Sequence, residues 1–101
     1  MLIDVHTDSG TARVALRGRF DFNCHREFRS ACDGALGDPS ASNIEIDFGG
    51  VDYLDSSALG MLLLVRERAQ AAHRPVRLAN CKGIVADVLK VANFGKLFPI
   101  A

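Results

Sequence analysis

The stretch "GGVDYLDSSALGMLLLV", Gly49 to Val65, sets two serines between an acidic residue and a run of strong helix formers, and its reading decides the fold. Asp and Ser placed just before an apolar run are a helix start signal, because their side-chain oxygens accept bonds from the first unpaired N–H groups. Read that way, the serines are caps. The other reading is a regulated hydroxyl, since a helix N-terminus is also where a phosphate is best tolerated. Immediately upstream, "NIEIDF" alternates Ile44, Ile46 and Phe48 with Glu45 and Asp47, the pattern of a strand with one buried face. "GGVDY" then links that strand to a helix expected from Ser57 to about Ala72. Its leucines and Met61 crowd the first turns, while Arg66, Glu67, Arg68 and Gln70 mark a wetter second half.

Working outward, "LIDVH" reads as a short strand and "TDSG" as a turn. "TARVALRG" follows as a second strand in which Ala12, Val14 and Leu16 alternate with Arg13, Ala15 and Arg17. The two suggest an antiparallel pair. After "GRFD", Cys24, Phe28, Ala31, Cys32, Ala35 and Leu36 recur at helical spacing, with Asp21 or Asn23 as the cap. "GDPSAS" breaks the chain, because Pro39 cannot continue a helix interior. Beyond the serines, "RPVRLAN" supplies a strand. Ile84, Val85, Val88, Leu89, Val91 and Ala92 mark a third helix that stops near Asn93 and Gly95. "KLFPI" closes the order as a short edge strand, because Pro99 cannot donate to a ladder. The order ββαβαβαβ predicts one α/β domain over residues 1–101, a mixed β-sheet packed with α-helices and joined by right-handed crossovers.

Composition narrows the function. The 101 residues carry 12 basic and 12 acidic side chains, so no net field draws the chain to nucleic acid or to an anionic membrane. Arg66, Arg68, Arg74 and Arg77 are the densest basic region, interrupted by Glu67, and read as a solvated helix face. Cys24, Cys32 and Cys81 lack CxxC or Cys/His ligand spacing and read as reduced, packed thiols. There is no signal-like N-terminus, and the longest apolar run, Met61 to Val65, is too short to cross a bilayer; a cytoplasmic protein without membrane insertion is expected. A serine hydrolase would require a GxSxG elbow, which is missing, and His6, His25 and His73 have no spacing that ties them to Ser56 or Ser57. No phosphate-binding glycine loop, dinucleotide fingerprint or HExxH is present either, so no cofactor, metal or catalytic residue is assigned.

"YLDSSALGMLLLV" resembles the STAS domain of anti-sigma factor antagonists, whose pattern is Asp-Ser-Ser, a small residue, Leu and Gly at a helix start. "LRGRFDF", "NIEIDF" and "VRLANCKGIVADVLKVANFGKLFPI" agree with the same family in order and spacing, so the resemblance covers nearly the whole chain. It departs in two places: Ala58 stands where many members have Gly, and the chain stops at Ala101 where many continue into a fourth helix.

The resemblance implies a phosphorylation-controlled partner-switching regulator of transcription in a bacterial cytoplasm, not an enzyme. Ser56 would be the phosphorylated residue, with Ser57 the second candidate. Asp21, Phe22, Asn23, Leu54, Asp55, Ser57, Ala58, Gly60 and Met61 would border the partner surface. Asp21 and Asp55 read equally as cap and turn residues, and Gly60 as a close-packing position. The implied partners are an anti-sigma factor or serine protein kinase and a PP2C-type phosphatase, or a response regulator carrying one, with no direct nucleic-acid contact. The alternative is a cytoplasmic STAS subunit of a membrane transporter for lipid or anions.

Overall fold

Alternation of small apolar with basic residues gives strand β2, Thr11–Phe20, two unlike faces: Ala12, Val14 and Leu16 are buried, whereas Arg13 and Arg17 meet solvent. In the computed structural model, which describes all residues from Met1 to Ala101, β2 pairs antiparallel with β1, Leu2–Asp8. The pairing runs to Asp8 and Thr11, leaving only Ser9 and Gly10 as the loop, with φ of 52° and 84°. Two positive φ values are what a tight hairpin turn matching the strand twist requires. On its other side β2 pairs parallel with β3, Asn43–Leu54, and β3 pairs parallel with β4, Val76–Ala79, giving the sheet order β1-β2-β3-β4.

A 3₁₀ turn, Phe22–Cys24, leads into helix α1, His25–Leu36; α2 is Ser56–Ala71 and α3 is Gly83–Val91. Phe28, Cys32 and Ala35 of α1, Leu62 and Val65 of α2, and Val85 and Leu89 of α3 join Val14, Ile44, Ile46 and Phe48 in one core. The helices therefore cover one face of the sheet. Asn93 adopts a left-handed φ of 59° and stops α3 where the sequence signal placed the end.

Three expectations change. "GGVDY" is not a link but part of the second half of β3, because pairing with the long β2 continues through Arg17↔Gly50, Arg19↔Tyr53 and Phe20↔Leu54 across two register shifts. Gly50 makes room there: a Cβ would lie 2.7 Å from Arg17 Cγ and 3.0 Å from the Leu16 carbonyl oxygen. "KLFPI" does not form a strand. Phe94–Lys96 is a 3₁₀ turn, and the pairing reduces to one parallel bridge between Leu78 and Ile100 at the outer edge of β4. Pro99 lacks an N–H and β4 is only 4 residues long, so little ladder is available.

The third change concerns the open face. Glu45, on the expected wet side of β3, is only 4% exposed. Its neighbours in register, Arg13 and Arg77, close over it, with Arg13 Nη2 3.2 Å from Oε1 and Arg77 Nη2 2.5 Å from Oε2. Nor do the other three arginines form a solvated face. Arg66 Nε donates to the Leu97 carbonyl at 2.9 Å, Arg68 pairs with Asp33, and Arg74 donates to the carbonyls of Asp38 and Ala41.

Candidate functional site: a docking surface at two helix starts

β2 and β3 end together. The parallel register sets Arg19 beside Tyr53 and Phe20 beside Leu54, so Asp21 and Asp55 leave the sheet side by side. Each begins a helical turn. The Asp21 carboxylate accepts the Asn23 N–H at 3.0 Å, and the Asp55 carboxylate accepts the Ala58 N–H at 3.0 Å. The Asp55 N–H also donates to the Phe20 carbonyl at 3.3 Å, fastening one start to the other.

The cap question is answered by Asp55. Its extended backbone, φ −109° and ψ 178°, is the conformation of a cap residue, whereas Ser56 is already the first residue of α2. The serine's hydroxyl is exposed and makes no hydrogen bond within the chain. Neither Asp21 nor Asn23 caps α1 itself: Asp21 caps the 3₁₀ turn that precedes it, and the residue before α1 is Cys24, which makes no side-chain capping bond. Asp55→Ala should therefore cost about 0.5–2 kcal/mol, while Ser56→Ala should stay within roughly 0.5 kcal/mol. Thermal unfolding of the two variants decides it, and equal losses would return the capping role to the serine.

Helical spacing aligns Ser56, Gly60 and Leu63 on the side of α2 opposite buried Ala58, Leu62 and Val65. Gly60 has no neighbour within 4 Å of a Cβ, so the close-packing role read from the sequence is absent. A mid-helix glycine nonetheless costs about 1 kcal/mol relative to alanine. Of the four residues "MLLL", Met61 and Leu62 are core, while Leu63 and Leu64 are 39% and 49% exposed. Beside the second helix start, Phe22 is 71% exposed and its ring stacks on exposed His25 at 6.5 Å.

Of the residues expected at a partner surface, Phe22, Asn23 and Gly60 are exposed, as is the phosphorylation candidate Ser56, and Asp21, Asp55 and Ser57 are half-buried. Leu54, Ala58 and Met61 are not on it. They are 4%, 0% and 5% exposed and hold the surface from below, because each belongs to the hydrophobic core. Sequence reading missed Leu63 and Leu64, which replace Met61 on the outer face. It also missed Arg19, whose guanidinium lies 4.0 Å over the Tyr53 ring and whose Nε is 3.7 Å from Asp21 Oδ2. The available signal was the parallel between "RFD" and "YLD", in which an outward residue and a core residue end each strand and an aspartate follows.

Two carboxylates and one guanidinium leave this end of the sheet mildly acidic. Two of the three thiols are held in the protonated form near neutral pH. Burial, with Asp33 adding to it, pushes the Cys32 thiol up to about 12, and burial with Asp47 pushes Cys81 up to about 11. Neither Ser56 nor Ser57 is hydrogen-bonded to a histidine or carboxylate side chain that would activate it. No helix is long and apolar enough to cross a membrane.

A family model described as "Mlab, STAS domain" matches residues 3–99. A STAS-domain containing protein of Pseudomonas aeruginosa (strain UCBPP-PA14) is 39% identical over 94 residues, which are 93% of this chain and 91% of that one. BtrV of Bordetella bronchiseptica, by its name a candidate anti-sigma factor antagonist, is 28% identical over 64 residues, 63% of this chain and 55% of its own. Among solved structures, the anti-sigma factor antagonist SpoIIAA in its unphosphorylated form gives a TM-score of 0.76 at 20% identity, covering 99% of this chain and 87% of that one. A sulfate transporter family protein from Wolinella succinogenes gives 0.75 at 13% identity, covering 90% and 73%. The two structural likenesses establish the fold alone. With a four-stranded mixed sheet, a serine at the start of α2 and a family match over nearly its whole length, the chain belongs to the STAS domain family.

Proposed function

We propose that this protein is a phosphorylation-controlled anti-sigma factor antagonist, which docks an anti-sigma factor or its serine kinase over the exposed side of α2 when Ser56 is unmodified. The observation that carries this reading is the state of Ser56. It is the first residue of α2, exposed, and free of the capping task that Asp55 performs. A phosphoryl group can therefore be added and removed there without unmaking the helix start. Gly60 lets a partner approach the helix backbone one turn further along, and Leu63, Leu64 and Phe22 supply apolar contact around it. The chain itself performs no chemistry; a PP2C-type phosphatase resets the serine, all in the cytoplasm and without direct contact to nucleic acid.

The test is incubation with the cognate kinase and ATP, followed by peptide mass spectrometry. The phosphate should sit on Ser56 and disappear in Ser56→Ala. A label that persists in Ser56→Ala and vanishes in Ser57→Ala would move the site by one residue. No label at all, together with co-purification of a membrane permease, would replace this reading with that of a transporter subunit.

A further inference from the structure

We propose that β1 is the contact through which a second copy of this chain joins the sheet, antiparallel about a two-fold axis at Val5. The two edges of the sheet are treated differently. β4 is partly covered by the chain's own C-terminal residues, through Leu78 N–H to the Pro99 carbonyl and Ala101 N–H to the Leu78 carbonyl, each at 2.9 Å. β1 has no neighbour on its outer side and offers 7 residues in unbroken register. It also lacks several of the usual protections of an edge, its only charged residues being Asp4, His6 and Asp8. It contains no proline, lysine or arginine, and the bulges of this sheet fall between β2 and β3. Leu2 and Val5 are 66% and 45% exposed.

Charge selects both the occupant and the register. On the open face, one row across the four strands reads His6, Arg13, Glu45, Arg77, and the next reads Asp4, Ala15, Asp47, Ala79. The first row has an excess of basic groups and the second is acidic. Antiparallel pairing about Val5 sets Asp4 of each copy opposite His6 of the other, so the basic row of one molecule runs into the acidic row of its mate. The same axis places Ile3 opposite Thr7 and Val5 opposite itself on the helix-bearing side, and the helices of both copies stay on one face. The neighbouring registers fail. Centring on Asp4 sets it against its own copy, and centring on His6 sets Asp4 against Asp8, in each case with like charges directly opposed. A second copy of this chain is thus the partner whose charges fit the edge, and of these three registers only the one about Val5, which leaves Asp8 opposite Leu2, opposes no like charges.

Sedimentation velocity over a concentration series, at low salt, should show a monomer–dimer equilibrium. His6→Asp turns two cross-strand pairs repulsive and should weaken it about tenfold or more, and Asp4→Lys combined with His6→Asp should restore it. Thermal midpoints verify that each variant is folded. An independent readout is a cysteine placed at the axis in a Cys81→Ser background. Val5→Cys should cross-link to its copy on mild oxidation, because directly opposed strand residues lie within disulfide reach, whereas Leu2→Cys should not. A protein that stays monomeric at every concentration, a dimer unaffected by the charge variants, or cross-linking that is equal at positions 2 and 5 would each overturn the proposal.

Discussion

Phosphorylated at Ser56, the protein is expected to bind its anti-sigma partner about two decades more weakly than the unmodified form while keeping nearly the same melting temperature. A phosphoryl group brings a charge of about −1.5 to −2, and at the start of α2 the helix dipole favours it by roughly 0.3–1 kcal/mol. The free protein tolerates it because Ser56 is exposed and water screens the Asp55 carboxylate next to it. Docking removes that water. At about 5 Å and an effective dielectric near 20, two like unit charges repel by roughly 3 kcal/mol, which is about two decades in affinity. Ser56→Asp carries less charge and should give part of the loss. Ser56→Ala should bind like the unmodified protein with little change in stability, since the cap is Asp55. Titration calorimetry of the phosphorylated and unmodified forms, with melting curves of both, measures the two terms separately. Equal affinity in both forms would end the switch reading.

The largest effect on stability is expected at Phe20, immediately before the candidate docking surface. Its side chain is fully buried, its ring centroid lies 4.7 Å from that of Phe28 and 6.2 Å from that of Phe48, and its carbonyl accepts the Asp55 N–H. Truncation to alanine removes aromatic contacts to α1 and β3 at once and leaves a cavity between them. Phe20→Ala should cost about 3–5 kcal/mol. At roughly 4–8 °C per kcal/mol for a domain near this size, its melting temperature should fall by more than about 12 °C. Phe22→Ala, two residues on and 71% exposed, should stay within about 0.5 kcal/mol. Denaturant unfolding of the pair tests the contrast, and similar losses would mean that Phe22 is packed and unavailable to a partner.

That contrast shows how differently the two phenylalanines were readable. Both stand in "RFDFNC", and nothing local separates a core ring from an exposed one. Phe20 is inside because β2 runs on to it beside Leu54 of β3, and Phe22 is outside because the 3₁₀ turn has begun. The same holds on α2. Four successive apolar residues announced a helix, but which of them face the sheet depends on the rotation at which the Asp55 cap starts it; that rotation buries Met61 and Leu62 and exposes Leu63 and Leu64.

The sequence by itself determined the order of the first four strands and the three helices, a turn within "TDSG", the break at Pro39, the stop at Asn93 and the helix start at the serine pair. These depend on alternation, helical period, capping oxygens and positive φ, all of which act within about one turn of the chain. Only the tertiary structure decided that β3 absorbs both glycines of "GGVDY", that "KLFPI" yields a single bridge, that Glu45 is enclosed by Arg13 and Arg77, and that Asp21 stands beside Asp55. Each of those rests on pairing between segments distant in sequence. The register that sets such pairing is chosen by the whole core at once, because one slipped residue would turn every buried side chain of a strand toward water.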